Sequence, residues 1–287
     1  MNSSAVSVSA VVNAVFVNRR KFRKRRRTSS AVVSFATAQQ RRAAGTAIHQ
    51  HLDPYEHVRV HVRSEKDVQA LKLFNLIVKL EDLFQYGSVH ELELKVPWGL
   101  LLDKVDGDSC AIALVGVLDA VYMSSKRLTV EELKTHETVT SDGRPVTENA
   151  PSMTSYKYQV LLYSLMIQTF LNGIRSGCPY LRRSYVGQEN IFATFSEPVQ
   201  KIVFPVLTLN ELYDKLCSIV NGNFKHASVT CAKVTHVSQS LIKRSICLQS
   251  NEVVAYEQSH RLTWTFLRRQ LARVDPWKIV SSNMYHS

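Results

Sequence analysis

Two carboxylates and a lysine stand close together in the stretch "GVLDAVYMSSKRLTVEELKTHE", residues 116–137. Asp119 ends an apolar run, and Glu132 and Lys134 follow in the next segment. Residues two apart in a β-strand project from the same face, so Glu132 and Lys134 are predicted to be neighbours. Carboxylates hold Mg²⁺, which activates water for phosphodiester hydrolysis, and an ammonium stabilises the charge that develops. Taken alone, the same spacing is more typical of two strands that carry ordinary surface charges.

A second group of polar residues lies in an apolar helical segment. Gln159 and Tyr163 are four residues apart in "YKYQVLLYSL", and Tyr156 precedes them by one turn. A buried glutamine needs a hydrogen-bond partner, so Gln159 is a candidate for holding a catalytic water or a phosphate. His49, in "GTAIH" at 45–49, is by itself interpreted as a structural histidine.

Hydrophobic spacing predicts the elements that must position these residues. A helix is predicted to begin after Ser64, where Asp67 completes a pattern similar to a capping box. In "SVHELELKVPW" Leu92, Leu94 and Val96 alternate with charged residues, as in a half-buried strand. The run "CAIALVGVLDAVYM" predicts a strand that is buried on both faces. A further strand is predicted in "RLTVEELKTHE", and a helix in "SYKYQVLLYSLMIQTFLNGI" that ends near Asn172–Gly173.

The positive charge of the chain is concentrated at one end. Residues 1–52 contain no acid, and "RRKFRKRRR" at 19–27 is their most basic run. Residues 1–42 are therefore predicted to be a disordered basic leader or a targeting segment, for the mitochondrion or for the nucleus. The rest of the chain is nearly neutral, so any nucleic-acid contact there is expected to be a local patch. The apolar stretch at 160–171 is shorter than the roughly 20 residues that span a bilayer, so no membrane association is predicted.

The order of the motifs resembles one family of enzymes. "GTAIH", "ELELKVPWG", "GVLDA", "EELKT" and "YQVLLY" follow one another as in the exonuclease V (defects in morphology) family, a RecB-like branch of the PD-(D/E)xK nucleases. The similarity extends over roughly residues 43–260, and residues 43–287 are expected to form the nuclease domain. The resemblance implies an α/β, restriction-endonuclease-like fold with a mixed central sheet flanked by helices. It also implies a monomeric Mg²⁺-dependent exonuclease that degrades single-stranded DNA, in DNA repair or genome maintenance.

The resemblance also implies roles for individual residues. Lys134 is expected to be the catalytic lysine, and Glu93 is preferred to Glu91 as the ligand of a second metal. Tyr122, Arg182 and Arg183 are further candidates for contacts with DNA. The resemblance implies metal ligands at Asp119, Glu132, His49 and Glu93, catalytic roles for Asp119, Glu132, Lys134, Gln159 and Tyr163, and substrate contacts at Tyr156, Lys157 and His136.

The cysteines depart from the pattern of the family. Its members typically hold a [4Fe–4S] cluster through one cysteine before "GT-x-x-H" and three near the carboxyl end. Here the cysteines are at 110, 178, 217, 231 and 247, and the ligands of such a cluster are not found among them. Either the chain is a cluster-free member or its gene model lacks the cluster-binding ends.

Two functions other than catalysis remain open from the sequence. A catalytically impaired nuclease fold that binds single-stranded nucleic acid is the main alternative to an active enzyme. An adaptor that acts through the basic residues 19–27 alone is a weaker one.

Overall fold

The computed structural model describes residues 4–21, 62, 64–135, 151–187, 195–203, 205–206, 208–237, 243–249 and 264–284. The strands of this part of the chain are β1 (Ser4–Ser7), β2 (Ser88–Pro97), β3 (Ile112–Ser124), β4 (Arg127–Thr135), β5 (Ser228–Val237) and β6 (Lys243–Gln249). Its helices are α1 (Val8–Lys21), α2 (Glu65–Tyr86), α3 (Trp98–Leu101), α4 (Pro151–Arg175), α5 (Pro179–Val186), α6 (Glu197–Val203), α7 (Leu209–Asn223), α8 (Trp264–Leu271) and α9 (Pro276–Met284).

Strand β3 organises the sheet because three other strands pair with it. Antiparallel β2 occupies one edge of β3 from Ala113 to Tyr122. The opposite edge is shared: β1 pairs in parallel with residues 112–115, and β4 pairs antiparallel with residues 120–124. Beyond β4, β5 is parallel to β4 and β6 is antiparallel to β5. The sheet is mixed and has helices packed against it, which confirms the predicted fold class.

The shared edge of β3 has a gap between its two partners. Within the described residues, no strand pairs with residues 116–119 on this edge, since β1 stops at Val115 and β4 begins at Ala120. Asp119 lies at the end of this gap. Asp119 is therefore placed between the part of β3 that pairs with β1 and the part that pairs with β4.

The pattern of burial along β3 changes at Asp119. Leu118 is fully buried and Val117 is 44% exposed, which is ordinary alternation. After Asp119, Ala120 and Val121 are both fully buried, so burial does not follow a single alternation along β3. The prediction of a strand buried on both faces holds at residues 112–114 and 120–121, where consecutive side chains are buried, and fails at Val117.

Strand β2 makes the same change at Glu91. Its core residues Leu92, Leu94 and Val96 are fully buried, as predicted, but before Glu91 the buried residue is Val89. Glu91 has a φ of +52°, in the left-handed region that residues other than glycine seldom occupy. The neighbouring pairs, His90 with Ala120 and Leu92 with Leu118, place Glu91 opposite Asp119. The regular alternation of buried residues is therefore interrupted in both strands at the same position.

Local signals set the ends of the helix that precedes β2. The Ser64 hydroxyl accepts a hydrogen bond from the backbone N–H of Asp67 at 3.1 Å, so the predicted start of α2 is confirmed. At its other end Gly87, with a φ of +76°, closes the helix. Helix α4 begins before the predicted segment and ends at Arg175, three residues beyond Asn172. Among the residues that the structure describes, no helix has the length and apolarity to cross a membrane.

Part of the expected disordered leader is ordered. Residues 4–21 form β1 and α1, and β1 extends the sheet beside β3. Val8, Val11, Val12 and Val15 are buried at helical spacing, so they form an apolar stripe that packs on the core. The lack of acidic residues suggested a leader, so the helical spacing of these valines was not recognised in the sequence. The remainder of the predicted leader, including residues 22–42, lies outside the described residues.

Gly116 gives a test of the packing around the gap in β3. A Cβ at this position would lie 2.6 Å from Cε1 of Tyr163 and 2.8 Å from Cγ2 of Val8. We expect Gly116→Ala to lower the free energy of unfolding by about 1–3 kcal/mol, because the core is already filled there. Activity should fall as well, since Tyr163 must move. Gly222→Ala is the control, because a Cβ on Gly222 meets nothing within 4 Å. Chemical denaturation measures both variants; equal stability of Gly116→Ala and the parent would contradict the packing.

Candidate active site

The separating edges of β3 and β4 bring two of the four predicted metal ligands, Asp119 and Glu132, together. The pairing of these strands ends at Ala120 and Glu131. Beyond that pair, Oδ2 of Asp119 accepts a hydrogen bond from the backbone N–H of Leu133 at 2.7 Å. The Asp119 carboxylate thus accepts a hydrogen bond that a backbone carbonyl would accept in a continuous ladder. It lies beside Glu132, and the two carboxylates interact electrostatically.

Lys134 lies within the same group, as the two-residue spacing predicted. Its ammonium forms an ion pair with Oε1 of Glu132 and donates to Oε1 of Gln159 at 3.3 Å. Nε2 of Gln159 then donates to the hydroxyl of Tyr163 at 3.2 Å. Gln159 and Tyr163 are on α4, which packs against β4 and β5. The structure therefore assembles the five predicted catalytic residues, from three elements, into one continuous set of contacts.

The electrostatics of Glu132 favour a bound cation. Its side chain is 2% exposed, and burial raises its pKa to about 7; the charge of Asp119 adds to the rise and Lys134 opposes it. Oε2 of Glu132 is buried and has no hydrogen-bond partner. A buried acceptor without a donor is costly unless something binds it. Two adjacent carboxylates with one open oxygen fit a hard divalent cation such as Mg²⁺.

The other predicted metal ligands are not part of this cluster in the described residues. His49 lies outside them. Glu93 is opposite Val117, two residues from Asp119, and its carboxylate pairs with Lys72 at 2.7 Å on the surface. Within the part of the chain that the structure describes, no group of three or more His, Cys, Asp or Glu side chains is arranged to hold a metal. The roles of His49 and Glu93 stay predictions.

Of the predicted substrate contacts, Tyr156 is the one placed in the cluster. The ammonium of Lys134 lies 5.0 Å from the centroid of the Tyr156 ring, within the range of a cation–π contact. Lys157, the next residue on α4, is half-buried. His136 lies outside the described residues.

Three further candidates for DNA contacts lie elsewhere in the fold. Arg182 contacts Asn210 at 2.9 Å, and Arg183 lies over the ring of Tyr180 on the same helix, α5. Tyr122 bonds to Glu131 and lines a cavity of about 700 Å³ at the turn between β3 and β4.

A second buried carboxylate, which the sequence motifs did not single out, belongs to the residue next to Glu132. Glu131 is 3% exposed and accepts hydrogen bonds from Thr235 and Tyr122, and Lys233 pairs with it at 3.1 Å. Burial favours a higher pKa for Glu131, but these hydrogen bonds outweigh it and lower the pKa below its ordinary value. Neighbouring glutamates on β4 thus point to opposite sides of the strand, one satisfied by donors and one open. The sequence did offer one signal for Glu131, since it is an acidic residue among apolar residues in a central strand.

Gln159 gives a test of the contacts between α4 and the site. We expect Gln159→Leu to lower kcat about 10–100-fold, the range for groups that orient others in a metal site, because Lys134 loses an anchor. Gln168 on the same helix is a matched control, since its Oε1 accepts from the N–H of Val229 at 2.9 Å, away from the site. Gln168→Leu should lower stability and leave kcat near that of the parent. Equal kcat losses for the two variants would contradict the role of Gln159.

A mixed sheet flanked by helices, with two carboxylates and a lysine where its strands separate, is consistent with a nuclease-like fold. The model of the family described as "Exonuclease V - a 5' deoxyribonuclease" matches residues 30–144. This match supports the resemblance to the exonuclease V family that the motifs indicated, and it supports the enzyme class, a nuclease.

The matched region contains some of the site residues and not others. Asp119, Glu132 and Lys134 lie inside it, and Gln159 and Tyr163 lie beyond its end. A search of curated proteins finds no match to the chain.

Proposed function

We propose that this protein is a Mg²⁺-dependent exonuclease that degrades single-stranded DNA from 5′ ends, as a monomer, in DNA repair in the mitochondrion or nucleus. The observation that carries the catalytic part is the open, buried Oε2 of Glu132 beside Asp119, with Lys134 paired to the same glutamate. The description of the matched family supports DNA as the substrate and 5′ ends as the site of attack.

Asp119 and Glu132 would hold the metal in this mechanism. A Mg²⁺ ion held there would supply Lewis-acid chemistry, polarisation of the scissile phosphate and activation of a water molecule. Asp119 is fixed by the N–H of Leu133, and Glu132 is fixed by the ion pair with Lys134. Neither carboxylate therefore has to reorganise during the reaction.

Lys134 supplies positive charge beside the carboxylates. Its side chain is 18% exposed, so it reaches the surface of the site while its ammonium is held by Glu132 and Gln159. An ammonium held in this way stabilises the charge that develops on the phosphate oxygens, and it orients the attacking water. The ring of Tyr156 beneath it limits its movement.

Digestion of end-labelled DNA tests the proposal. The purified protein is incubated with 5′-labelled or 3′-labelled single strands, and with a matched duplex, in Mg²⁺ or in a chelator. We expect Mg²⁺-dependent shortening that starts at 5′ ends and is faster on single strands. Asp119→Asn keeps an acceptor for the N–H of Leu133 and removes the charge, so it should fold and digest poorly.

Two outcomes would overturn the proposal. If Asp119→Asn digests DNA as fast as the parent protein, the site is assigned wrongly. If the parent binds single strands with a steep salt dependence but does not shorten them in Mg²⁺, the protein is a binding protein with a nuclease fold.

A further inference from the structure

The backbone of β2 departs from regular strand geometry directly opposite Asp119. Glu91 has a φ of +52°, although it is not a glycine, and the ladder between β2 and β3 has no Glu91–Asp119 pair. The buried residues on the two sides of this point are Val89 and Leu92, three positions apart, so the two-residue alternation of β2 is interrupted here. Unusual backbone conformations persist only where the surrounding structure holds them in place.

Lys79 holds the irregular segment from α2. Its ammonium donates to the carbonyl oxygens of His90 and Glu91, at 2.7 Å in each case. Carbonyls turned out of a strand ladder need another donor, and the three donors of an ammonium can serve both. We propose that Lys79 is a positioning residue for Asp119. Its two hydrogen bonds hold the irregular backbone of β2 at Glu91. This in turn holds the paired segment of β3, so that the Asp119 carboxylate is directed toward Leu133 and Glu132. The proposal rests on the proposed function, because it takes Asp119 to be a metal ligand.

The direction of Asp119 depends on this irregularity. In a regular β3, Leu118 and Ala120 share one face, where both are buried, and Val117, Asp119 and Val121 share the other, where Val117 is exposed. The structure instead buries Val121 completely and places Oδ2 of Asp119 2.7 Å from the N–H of Leu133 in the neighbouring strand. Because Glu91 is opposite Asp119, β2 and β3 can stay paired on both sides of the irregularity only if both shift.

The contact of Lys79 differs from those of other lysines near this helix. Lys72, two turns earlier on α2, forms an exposed ion pair with Glu93 on β2. Lys215 on α7 is 4.0 Å from Glu81, on the surface of α2. Lys79 alone of these three bonds to backbone carbonyls within the sheet. Its contacts fix the course of the main chain.

The first test replaces Lys79 with methionine, which keeps the aliphatic length and removes the donors. We expect kcat on single-stranded DNA to fall about 10–100-fold and the Mg²⁺ concentration for half-maximal rate to rise, with KM for DNA nearly unchanged. The increase in Tm that Mg²⁺ or Ca²⁺ produces without DNA should shrink, which is a readout independent of turnover. Lys215→Met, which removes a surface ion pair of the same helix, should resemble the parent in all three measurements.

A second variant separates positioning from a general loss of stability. Glycine occupies positive φ readily, so Glu91→Gly should hold the irregular backbone with less help from Lys79. The loss caused by Lys79→Met is therefore expected to be at least threefold smaller in the Glu91→Gly background than in the parent. Any effect of removing the Glu91 carboxylate cancels in this comparison.

The outcomes distinguish this proposal from the proposed function. If Lys79→Met lowers Tm but keeps the parent's kcat and Mg²⁺ requirement, Lys79 is only structural and the nuclease assignment stands. A parent protein that lacks Mg²⁺-dependent digestion removes the proposed function itself. If Lys79→Met does not fold, Lys79→Gln is measured in its place, since it keeps a donor that cannot reach both carbonyls. An unchanged Mg²⁺ requirement in Lys79→Gln would then overturn the proposal.

Discussion

Replacing Lys134 with methionine is expected to lower kcat on single-stranded DNA by about 10²–10³-fold, the loss typical of one preorganised charge or donor at a reaction centre. The ammonium is held by Glu132 and Gln159 before substrate binds, so its charge acts on the transition state without reorganisation. KM for DNA should change much less, because a single site contributes little to the binding of a long polyanion. Single-turnover digestion at saturating Mg²⁺ measures the effect.

Lys233 is a matched control for Lys134. It too is a strand lysine paired with a buried glutamate of β4, but its partner is Glu131. Lys233→Met should therefore lower the free energy of unfolding by about 1–3 kcal/mol and leave kcat close to that of the parent. If both variants lose activity to the same extent, the loss reflects damage to the sheet and the catalytic role of Lys134 is wrong.

Replacing Glu132 with glutamine is expected to abolish most activity and yet stabilise the metal-free protein at high pH. Burial and the charge of Asp119 raise the pKa of Glu132 to about 7, so the folded protein holds this proton more tightly than the unfolded chain does. The stability that comes from Glu132 is present below about pH 4.3, the ordinary value for glutamate, and is lost as pH rises through 7. Glutamine has no charge to bury, so the variant should be more stable than the parent at pH 8, on the order of 2 kcal/mol, but not at pH 4.

Denaturation in a chelator across this pH range measures the difference. Added Mg²⁺ should then raise the stability of the parent at pH 8 and have little effect on Glu132→Gln, because the variant has lost a charged ligand. A variant that Mg²⁺ stabilises as much as the parent would show that Glu132 does not hold the metal.

Glu131→Gln is the internal control, and it should show the opposite sign. Despite its burial, hydrogen bonds from Thr235, Tyr122 and Lys233 lower the pKa of Glu131. Its contribution to stability is therefore present above about pH 4.3 and is lost as pH falls through the lowered pKa. At pH 8 Glu131→Gln should be less stable than the parent by about 1–3 kcal/mol, because the hydrogen bonds lose a charged acceptor.

The predictions that needed only one element at a time agree with the structure. A period of two placed Glu132 and Lys134 together on β4, and their ion pair follows from it. A period of nearly four placed Gln159 and Tyr163 together on α4, where they are hydrogen-bonded. The start of α2 at Ser64 was predictable for the same reason, since a capping residue acts within one turn. Backbone geometry alone fixes such relations, so the sequence contains them.

Predictions that depended on which elements meet were less successful. The valines of α1 lie in a segment whose composition suggested a leader. They stabilise the fold only by packing on a core that other elements complete, and the segment alone does not show this. The run "CAIALVGVLDAVYM" was expected to be buried on both faces, and only the packing of the other elements around it leaves Val117 exposed. The metal-binding role of Glu93 stays a prediction, and its ion pair with Lys72 depends on how α2 lies against β2.

By itself the sequence predicted the residues of the candidate site: two carboxylates, a lysine, and a glutamine and tyrosine at the right local spacing, in an order that resembles one family. Only the tertiary structure decided how the side chains of these residues are positioned relative to one another. The gap on the edge of β3, the irregular backbone at Glu91 and the reach of Lys79 to two carbonyls join residues that are distant in sequence. Side-chain periodicity repeats within an element, whereas strand pairing and helix packing depend on distant partners, and no local pattern records them.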